Sequence, residues 1–413
     1  MQFTFYGDDF TGSTDALEAL ALNGVPAALF LGPPEPDKLK KFSHCAAIGV
    51  AGESRSRSPE WMSAQLPAIF QRLKQLGAPL CQYKVCSTFD SSPGIGSIGR
   101  ALEIGAEVFQ SRFVPVIPAA PLLGRYVVFS NLFARAGDRI YRIDRHPTMS
   151  RHPVTPMSES DLRCHLSRQT TRRIASVDLL ALDGSLEFDI DTDVLLFDGL
   201  SEASMQKASG FAWEHRSIAP FAVGSSGFTH GLVQHWRSIG LIGAPPELKP
   251  AAPADRLIVL SGSGSPVTER QIRHAAANGF AGIRIDVSAL EAALDHLQAG
   301  RSVVLYSALG AEHYDPSLPR EQLAIQMGKL LYALLLRSGV RRVVIAGGDT
   351  SSHAVRQLGL YALTFHAPLA PGAPLCDAHT EDQQLRGLQL VLKGGQIGQD
   401  DFFTSVLRGA VVP

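Results

Sequence analysis

Met1-Gln2-Phe3-Thr4-Phe5-Tyr6-Gly7-Asp8-Asp9-Phe10-Thr11-Gly12-Ser13-Thr14-Asp15 runs directly into Ala16-Leu17-Glu18-Ala19-Leu20-Ala21-Leu22-Asn23-Gly24. Aromatic and β-branched side chains make the opening residues a short buried strand. A glycine turn follows, then an amphipathic helix that Thr11, Ser13 or Thr14 caps and Gly24 stops in the left-handed conformation. Asp8 and Asp9 fall where strand gives way to helix, and in an open α/β sheet that rim is where ligands bind. Two adjacent carboxylates there are costly to bury unless they hold a metal, a cation or substrate hydroxyls. The plainer alternative is that one caps the helix and the other stays in water.

The same alternation continues outward from this stretch. Strands are expected over 25–31 and 46–50, and a helix over 61–76 with Trp61, Gln65, Ile69 and Leu73 along one side. Strand and helix in turn build a mostly parallel sheet flanked by helices. Arg55 and Arg57 then leave a strand on the rim that carries the aspartates. A guanidinium fork matches a carboxylate, although both arginines would also serve as solvated loop charges. Tyr83-Lys84-Val85-Cys86-Ser87-Thr88 reads as a further strand, running into Phe89-Asp90-Ser91 and a glycine-rich turn before a helix at about Ser97. Ser87, Thr88, Asp90 and Ser91 are short polar groups suited to the hydroxyls of a small polyol. Lys84 supplies a cation, either for a substrate carboxylate or for the acidic pair. Strands follow over 113–118, 126–130, 194–198 and 221–224. Between them Arg145-His146-Pro147 and Arg151-His152-Pro153 form a rigid basic loop or simple turns.

At 413 residues the chain exceeds what one core sustains, so two domains are expected. The stretch 243–254 holds four prolines and no periodicity, which marks a semi-rigid linker. An N-terminal domain over 1–242 and a C-terminal domain over 255–413 result. A net charge of −1 argues against nucleic acid as the partner, since phosphate binding leaves a basic excess. No apolar run is long enough to span a membrane, and the start lacks the basic and apolar regions of a signal peptide. A cytoplasmic protein is expected. The cysteines at 45, 81, 86, 164 and 376 are odd in number and scattered, which fits reduced thiols better than a disulfide framework or a zinc site. Only Cys86 falls beside the candidate site residues.

The second domain repeats one device three times. Strand 257–260 enters Ser261-Gly262-Ser263-Gly264-Ser265-Pro266, with Pro266 at the first helical position. Strand 343–346 enters Gly347-Gly348-Asp349-Thr350, and strand 388–393 enters Gly394-Gly395. Glycines let a backbone approach a polyphosphate while serine hydroxyls and helix amides donate to it. Three such junctions would surround one nucleotide. Walker A spacing is absent. Asp349 suits Mg²⁺, which takes only one or two carboxylates, or else it caps the following helix. Gly262-x-Gly264 with Asp286 about 20 residues on also approaches the dinucleotide fingerprint, but Val267 stands at the third glycine.

Gly7-Asp8-Asp9-Phe10-Thr11-Gly12-Ser13, Lys84 to Ser91, Arg151 to Met157, Ser261 to Pro266 and Gly347 to Thr350 resemble, in order, the signatures of the four-carbon acid sugar kinase family, formerly a domain of unknown function. Its members phosphorylate tetronates such as threonate, erythronate and 3-oxo-tetronates with ATP. The resemblance implies two α/β domains with the active site in the cleft between them. It implies that Asp8, Asp9, Arg55, Lys84, Ser87, Thr88 and Asp90 hold the sugar acid, with Arg151 and His152 as neighbours; in that site Asp9 is either the catalytic base or the residue that grips the attacked hydroxyl. It assigns Ser261, Ser263, Gly264, Ser265, Gly347, Gly348, Asp349, Thr350, Gly394 and Gly395 to ATP, with Mg²⁺ on Asp349. A homodimer is implied at family level only. Two rival readings are an NAD-dependent oxidoreductase of a related hydroxy acid and a non-catalytic sensor of sugar acid and nucleotide.

Overall fold

A computed structural model of the chain describes residues 1–152, 154–184, 191–310 and 320–410, without the side chains of Arg320 and Asp349. It divides into two compact units, Met1–Asp8 with Ala19–Ala27 and Pro33–Pro246, and Asp9–Glu18 with Ala28–Gly32 and Glu247–Pro413. The helix Phe10–Ala21 therefore begins in one unit and ends in the other.

In the first unit the described sheet is parallel, in the order Ala47–Ala51, Phe3–Gly7, Cys81–Lys84, Phe221–Gly224, Val114–Ile117, Val194–Phe197 and Ile174–Val177. Its strands read as continuous apolar runs because helices cover parallel sheets on both faces. Tyr6 and Tyr83 stack at 5.8 Å across adjacent strands, and Phe70 sets its edge against both rings at 5.8 and 6.2 Å. Phe70 comes from the helix Pro59–Lys74, whose buried residues are Met62, Leu66, Phe70 and Leu73. Of the expected line through Trp61, Gln65, Ile69 and Leu73, Leu73 is buried as expected, and the stripe is shifted by one residue at the other three positions. Trp61 instead lies under the Arg57 guanidinium, 5.7 Å away.

Two strand expectations are corrected. The strand expected over 83–88 is Cys81–Lys84, because Phe89 takes a left-handed φ of 55° and the residues after Lys84 bend to meet other loops. The strand expected over 126–130 is Arg125–Val128, the first of a three-stranded antiparallel sheet with Asn131–Ala136 and Arg139–Arg142. Phe129 and Ser130 make its hairpin turn, both with positive φ. Such φ values cost non-glycine residues energy. Here the Asp198 carboxylate accepts both turn amides, at 2.6 and 2.8 Å, and offsets that strain.

In the second unit the order is Ala281–Arg284, Val303–Tyr306, Ile258–Ser261, Arg342–Ala346 and Gln389–Lys393, all parallel. Ala373–Thr380, Leu360–Ala370 and Ala27–Phe30 then follow antiparallel. Leu257, Val259, Val344 and Val391 pack with Phe402 and Phe403 of the helix Phe402–Arg408 to form a core. Ser261 is in register with Ala346, and Ala346 with Lys393, so three adjacent strands stop at one level. The turns that follow all leave from that rim. No helix among the described residues is long and apolar enough to cross a membrane.

Candidate functional site

The first unit gathers Asp8, Arg55, Lys84, Thr88 and Asp90. Parallel pairing sets Gly7 opposite Lys84, and the Asp8 amide continues the ladder to the Lys84 carbonyl at 2.9 Å. The Arg55 amide donates to the Asp8 carbonyl at 3.1 Å, which fixes the turn Ser54–Ser56 against the strand end. Gly96 backs that turn. A Cβ there would stand 2.5 Å from the Arg55 carbonyl oxygen, and its φ is +64°, so glycine is required.

Asp90 is the hub of the cluster. Its Oδ1 accepts from Arg55 Nη2 at 2.6 Å and from Thr88 Oγ1 at 2.5 Å, and its Oδ2 accepts from Thr155 Oγ1 at 3.3 Å. Burial alone would raise its pKa, but the Arg55 guanidinium, the Thr88 hydroxyl and nearby His152 hold it below the usual carboxylate value. A charged acceptor in that many bonds stays ionised. His152 Nδ1 accepts the Thr155 amide at 3.1 Å, which ties it to the same network. Arg151, by contrast, is exposed at the end of its turn. Lys84 is buried and donates to the Val85 carbonyl at 3.0 Å. Ser87 is buried close by in sequence, and Cys86 Sγ accepts from Thr88 Oγ1 at 3.0 Å.

Behind this loop, Ser91 Oγ lies 2.8 Å from His165 Nε2 and 2.9 Å from Gln169 Nε2. Burial lowers the His165 pKa to about 4, so the ring is neutral near pH 7. The pair clamps the segment whose Phe89 is left-handed. Ser91 therefore supports the loop, and its hydroxyl does not reach out to a polyol.

Asp9 caps the helix Phe10–Ala21, a role expected of Thr11, Ser13 or Thr14. Its Oδ1 accepts the Gly12 amide at 2.6 Å and its Oδ2 the Thr11 hydroxyl at 3.0 Å, while its carbonyl accepts from Ser13. A carboxylate at a helix start gains from both the free amides and the macrodipole, which a hydroxyl does not. Neither aspartate is solvated, with Asp8 4% and Asp9 9% exposed. The alternative of one cap and one solvated carboxylate is half right.

The second unit brings the three glycine turns together. A Cβ on Gly262 would lie 2.0 Å from Thr350 Oγ1, one on Gly347 3.5 Å from the Ser263 amide, and one on Gly395 2.8 Å from Ser263 Oγ. Gly262 and Gly395 are therefore glycines because the loops press on one another. At Gly347 the contact with Ser263 is ordinary, and the φ of +116° is what requires glycine. Ser263 Oγ accepts the Ser265 amide at 3.2 Å and Ser265 Oγ the Val267 amide at 3.2 Å, so Ser265 caps the helix Pro266–Ala277. Asp9 joins this group, since a Cβ on Gly348 would stand 3.6 Å from its Oδ2. Asp349 lies in the helix Gly348–Arg356, but its side chain, and with it the Mg²⁺ expectation, falls outside the described residues. Among those residues no three His, Cys, Asp or Glu side chains cluster to hold a metal.

Sequence reasoning missed Thr155, Thr268 and Lys393. Lys393 ends its strand fully buried, and burial lowers its pKa to about 7. A charged residue at the apolar end of a strand, just before a glycine pair, was the available signal.

The dinucleotide alternative fails on topology. A dinucleotide fold places the strand bearing the ribose ligand beside the strand of the glycine turn. Here Val303–Tyr306 lies between Ile258–Ser261 and the strand leading to Asp286. Asp286 instead accepts the Ser288 amide and hydroxyl at 2.8 and 2.7 Å.

Comparison with known proteins describes both parts of the chain. Residues 3–232 match the model of a sugar-binding N-terminal domain and residues 258–403 that of a nucleotide-binding C-terminal domain. A 3-oxo-isoapionate kinase of Paraburkholderia graminis is 43% identical over 98% of this chain and 94% of its own. A 3-oxo-tetronate kinase of Cupriavidus necator is 32% identical over 97% and 95%. A solved structure from Salmonella typhimurium, described as a putative tRNA synthase, superposes with a TM-score of 0.76 at 23% identity over the whole of both chains, and shows the shared fold. The chain therefore belongs to the four-carbon acid sugar kinase family, and it is a phosphotransferase that uses ATP to phosphorylate an alcohol group of a sugar acid.

Proposed function

We propose that the acceptor is a 3-oxo sugar acid, with the 3-oxo-isoapionate and 3-oxo-tetronate of the relatives as first candidates. In this reading Arg55 and Lys84 face the acid's carboxylate, while Asp8, Ser87, Thr88 and Asp90 set its hydroxyls. Asp9 grips the attacked hydroxyl or takes its proton. The turns at Ser261–Ser265, Gly347–Thr350 and Gly394-Gly395 hold ATP through backbone amides and hydroxyls. Phosphoryl transfer needs chiefly positioning and charge neutralisation, which suits a site made of amides, cations and a few carboxylates. The observation that carries this reading is the meeting of three glycine turns at one level of the sheet with the Asp9 carboxylate against Gly348.

Mg²⁺ fits this arrangement, because it usually rests on phosphate oxygens and water with one or two carboxylates. Asp349 remains its proposed ligand. Bound there, the ion would neutralise charge on the transferred phosphoryl group. A homodimer and a cytoplasmic location belong to the same reading, the first checked by light scattering.

The test is an ADP-release screen of the purified protein over 3-oxo-isoapionate, 3-oxo-tetronates, threonate and erythronate. Highest kcat/KM on a 3-oxo acid is expected. Faster turnover of threonate or erythronate removes the 3-oxo assignment, and the absence of ADP release with every acid favours the sensor reading.

A further inference from the structure

Lys393 Nζ donates to the Gly394 carbonyl at 2.9 Å and to Thr268 Oγ1 at 3.2 Å, and Thr268 Oγ1 donates to the Gly395 carbonyl at 2.9 Å. The Phe402 ring centroid lies 5.9 Å from the ammonium. A trans peptide sets its N–H opposite its C=O. With both carbonyls drawn toward Lys393 and Thr268, the amides of Gly395 and Gln396 face the other way, and neither meets a protein acceptor among the described residues. Gly395 is also the glycine that presses on Ser263.

Charged groups near Lys393 are spoken for elsewhere. Of the elements packed on its strand, the helix Pro266–Ala277 carries Glu269, bonded to Arg273, and Arg270, bonded to Asp400. The helix Phe402–Arg408 is preceded by Asp401, which accepts from Ser405. The helix Gly348–Arg356 carries His353, 3.8 Å from Glu321, and Arg356, set over the Phe10 ring. The strand Arg342–Ala346 begins with Arg342, bonded to Gln389. Asp377 and Cys376 pair with Gln389 and Leu390, at the far half of the strand. No carboxylate pairs with Lys393 among the described residues, and desolvation is the one cause of its lowered pKa. A buried cation in that position is costly until an anion arrives.

We propose that Lys393 is a positioning residue of the nucleotide site, which binds a proton as the phosphates arrive and holds the 394–396 turn with its amides toward them. The proposal rests on the reading of the three glycine turns as that site. With a pKa of about 7 in the free protein, the amine is mostly neutral at pH 8. The terminal phosphate of ADP is already deprotonated there, its pKa being about 6.

Calorimetric titration of the full chain with ADP and Mg²⁺ at pH 8, in two buffers of different ionisation enthalpy, reads the proton count. Uptake of roughly 0.9 proton per nucleotide is expected, the neutral fraction for a group one pH unit below ambient. Lys393→Arg carries a permanent charge and should bind ADP without uptake, while Lys393→Gln should lose uptake and at least ~10-fold in affinity, the worth of about one charge-assisted hydrogen bond. ADP binding by the unmodified protein without proton uptake overturns the role of Lys393 and leaves the nucleotide site standing. No ADP binding at all removes the site, and this proposal with it.

Discussion

Asp90 holds Arg55 in a 2.6 Å ion pair, with the carboxylate side chain fully buried and the guanidinium a quarter exposed. The geometry makes Asp90 the fixed member and Arg55 the presented one. An arginine so anchored has its guanidinium plane fixed, and a fixed fork is what recognition of a carboxylate requires. The carboxylate keeps its charge because Arg55, Thr88 and His152 favour it over burial. Asp90→Asn keeps the shape and one acceptor but removes that charge. We expect the KM for the sugar acid to rise at least ~10-fold, about 1.4 kcal/mol of lost positioning, with the KM for ATP within ~2-fold of the original. Steady-state kinetics with each substrate varied in turn separates the two, and an equal rise in both would show a general loss of structure.

Asp9 is placed by its cap. The Gly12 amide and the Thr11 hydroxyl fix its carboxylate, and Gly348 leaves space beside Oδ2. Asp9→Asn retains capping, since asparagine serves at that position as well as aspartate. Folding should survive and turnover should fall at least ~10²-fold, the usual worth of general-base help. ADP affinity should change little. Near-normal kcat in a folded Asp9→Asn protein would reduce Asp9 to a cap.

Much of this was legible in the residues, and the reasons are physical. The first strand, turn and helix could be read because apolar period, glycine and stop signal agree there. The three glycine turns could be read because each strand ends in small residues for which a sheet core has no use. What escaped was long-range. Thr155 reaches Asp90 from 65 residues further along the chain, and no local pattern announces the pairing. Lys393 looked like an ordinary strand-end lysine. Asp9 displaced three hydroxyl candidates as cap because a buried charge needs donors more urgently than a hydroxyl does. Ser91 passed for a polyol ligand, since nothing near it in sequence foretold His165.

Glu18 gives a pH prediction. It is 5% exposed, its Oε2 accepts the Gly372 amide at 2.7 Å, and burial with repulsion from Asp15 raises its pKa to about 8. An ordinary carboxyl in the unfolded chain ionises near 4.5. Between those values the folded state binds the extra proton, so this group stabilises the fold fully at low pH and loses that contribution as pH rises toward 8. The slope is about 1.4 kcal/mol per pH unit at most, one proton's worth. Glu18→Gln keeps an acceptor for Gly372 and cannot ionise. The variant should therefore gain stability over the original protein at pH 8 relative to pH 5, as read by thermal unfolding at both. Equal differences at the two values would show that Glu18 is ionised in the fold.

Gly262 tests the proposed nucleotide cradle without removing a polar group. Its missing side chain would stand 2.0 Å from Thr350 Oγ1 and 3.1 Å from Thr350 Cβ. Gly262→Ala must therefore displace Thr350 and the turn that begins at Gly347, a strain of about 1–3 kcal/mol for overpacking. ATP affinity should fall at least ~10-fold, while the fluorescence response to the sugar acid stays unchanged because its residues lie in the other cluster. Removing the obstructing hydroxyl tells strain from any intrinsic need for glycine. In a Thr350→Ala background the same Gly262→Ala change meets only the 3.1 Å contact, so its cost should shrink, giving a coupling of about 0.5–3 kcal/mol between neighbours in contact. Calorimetry on the four proteins of this cycle decides it. Additive losses would mean that the two turns do not press on one another in solution, and the shared cradle would lose its physical basis.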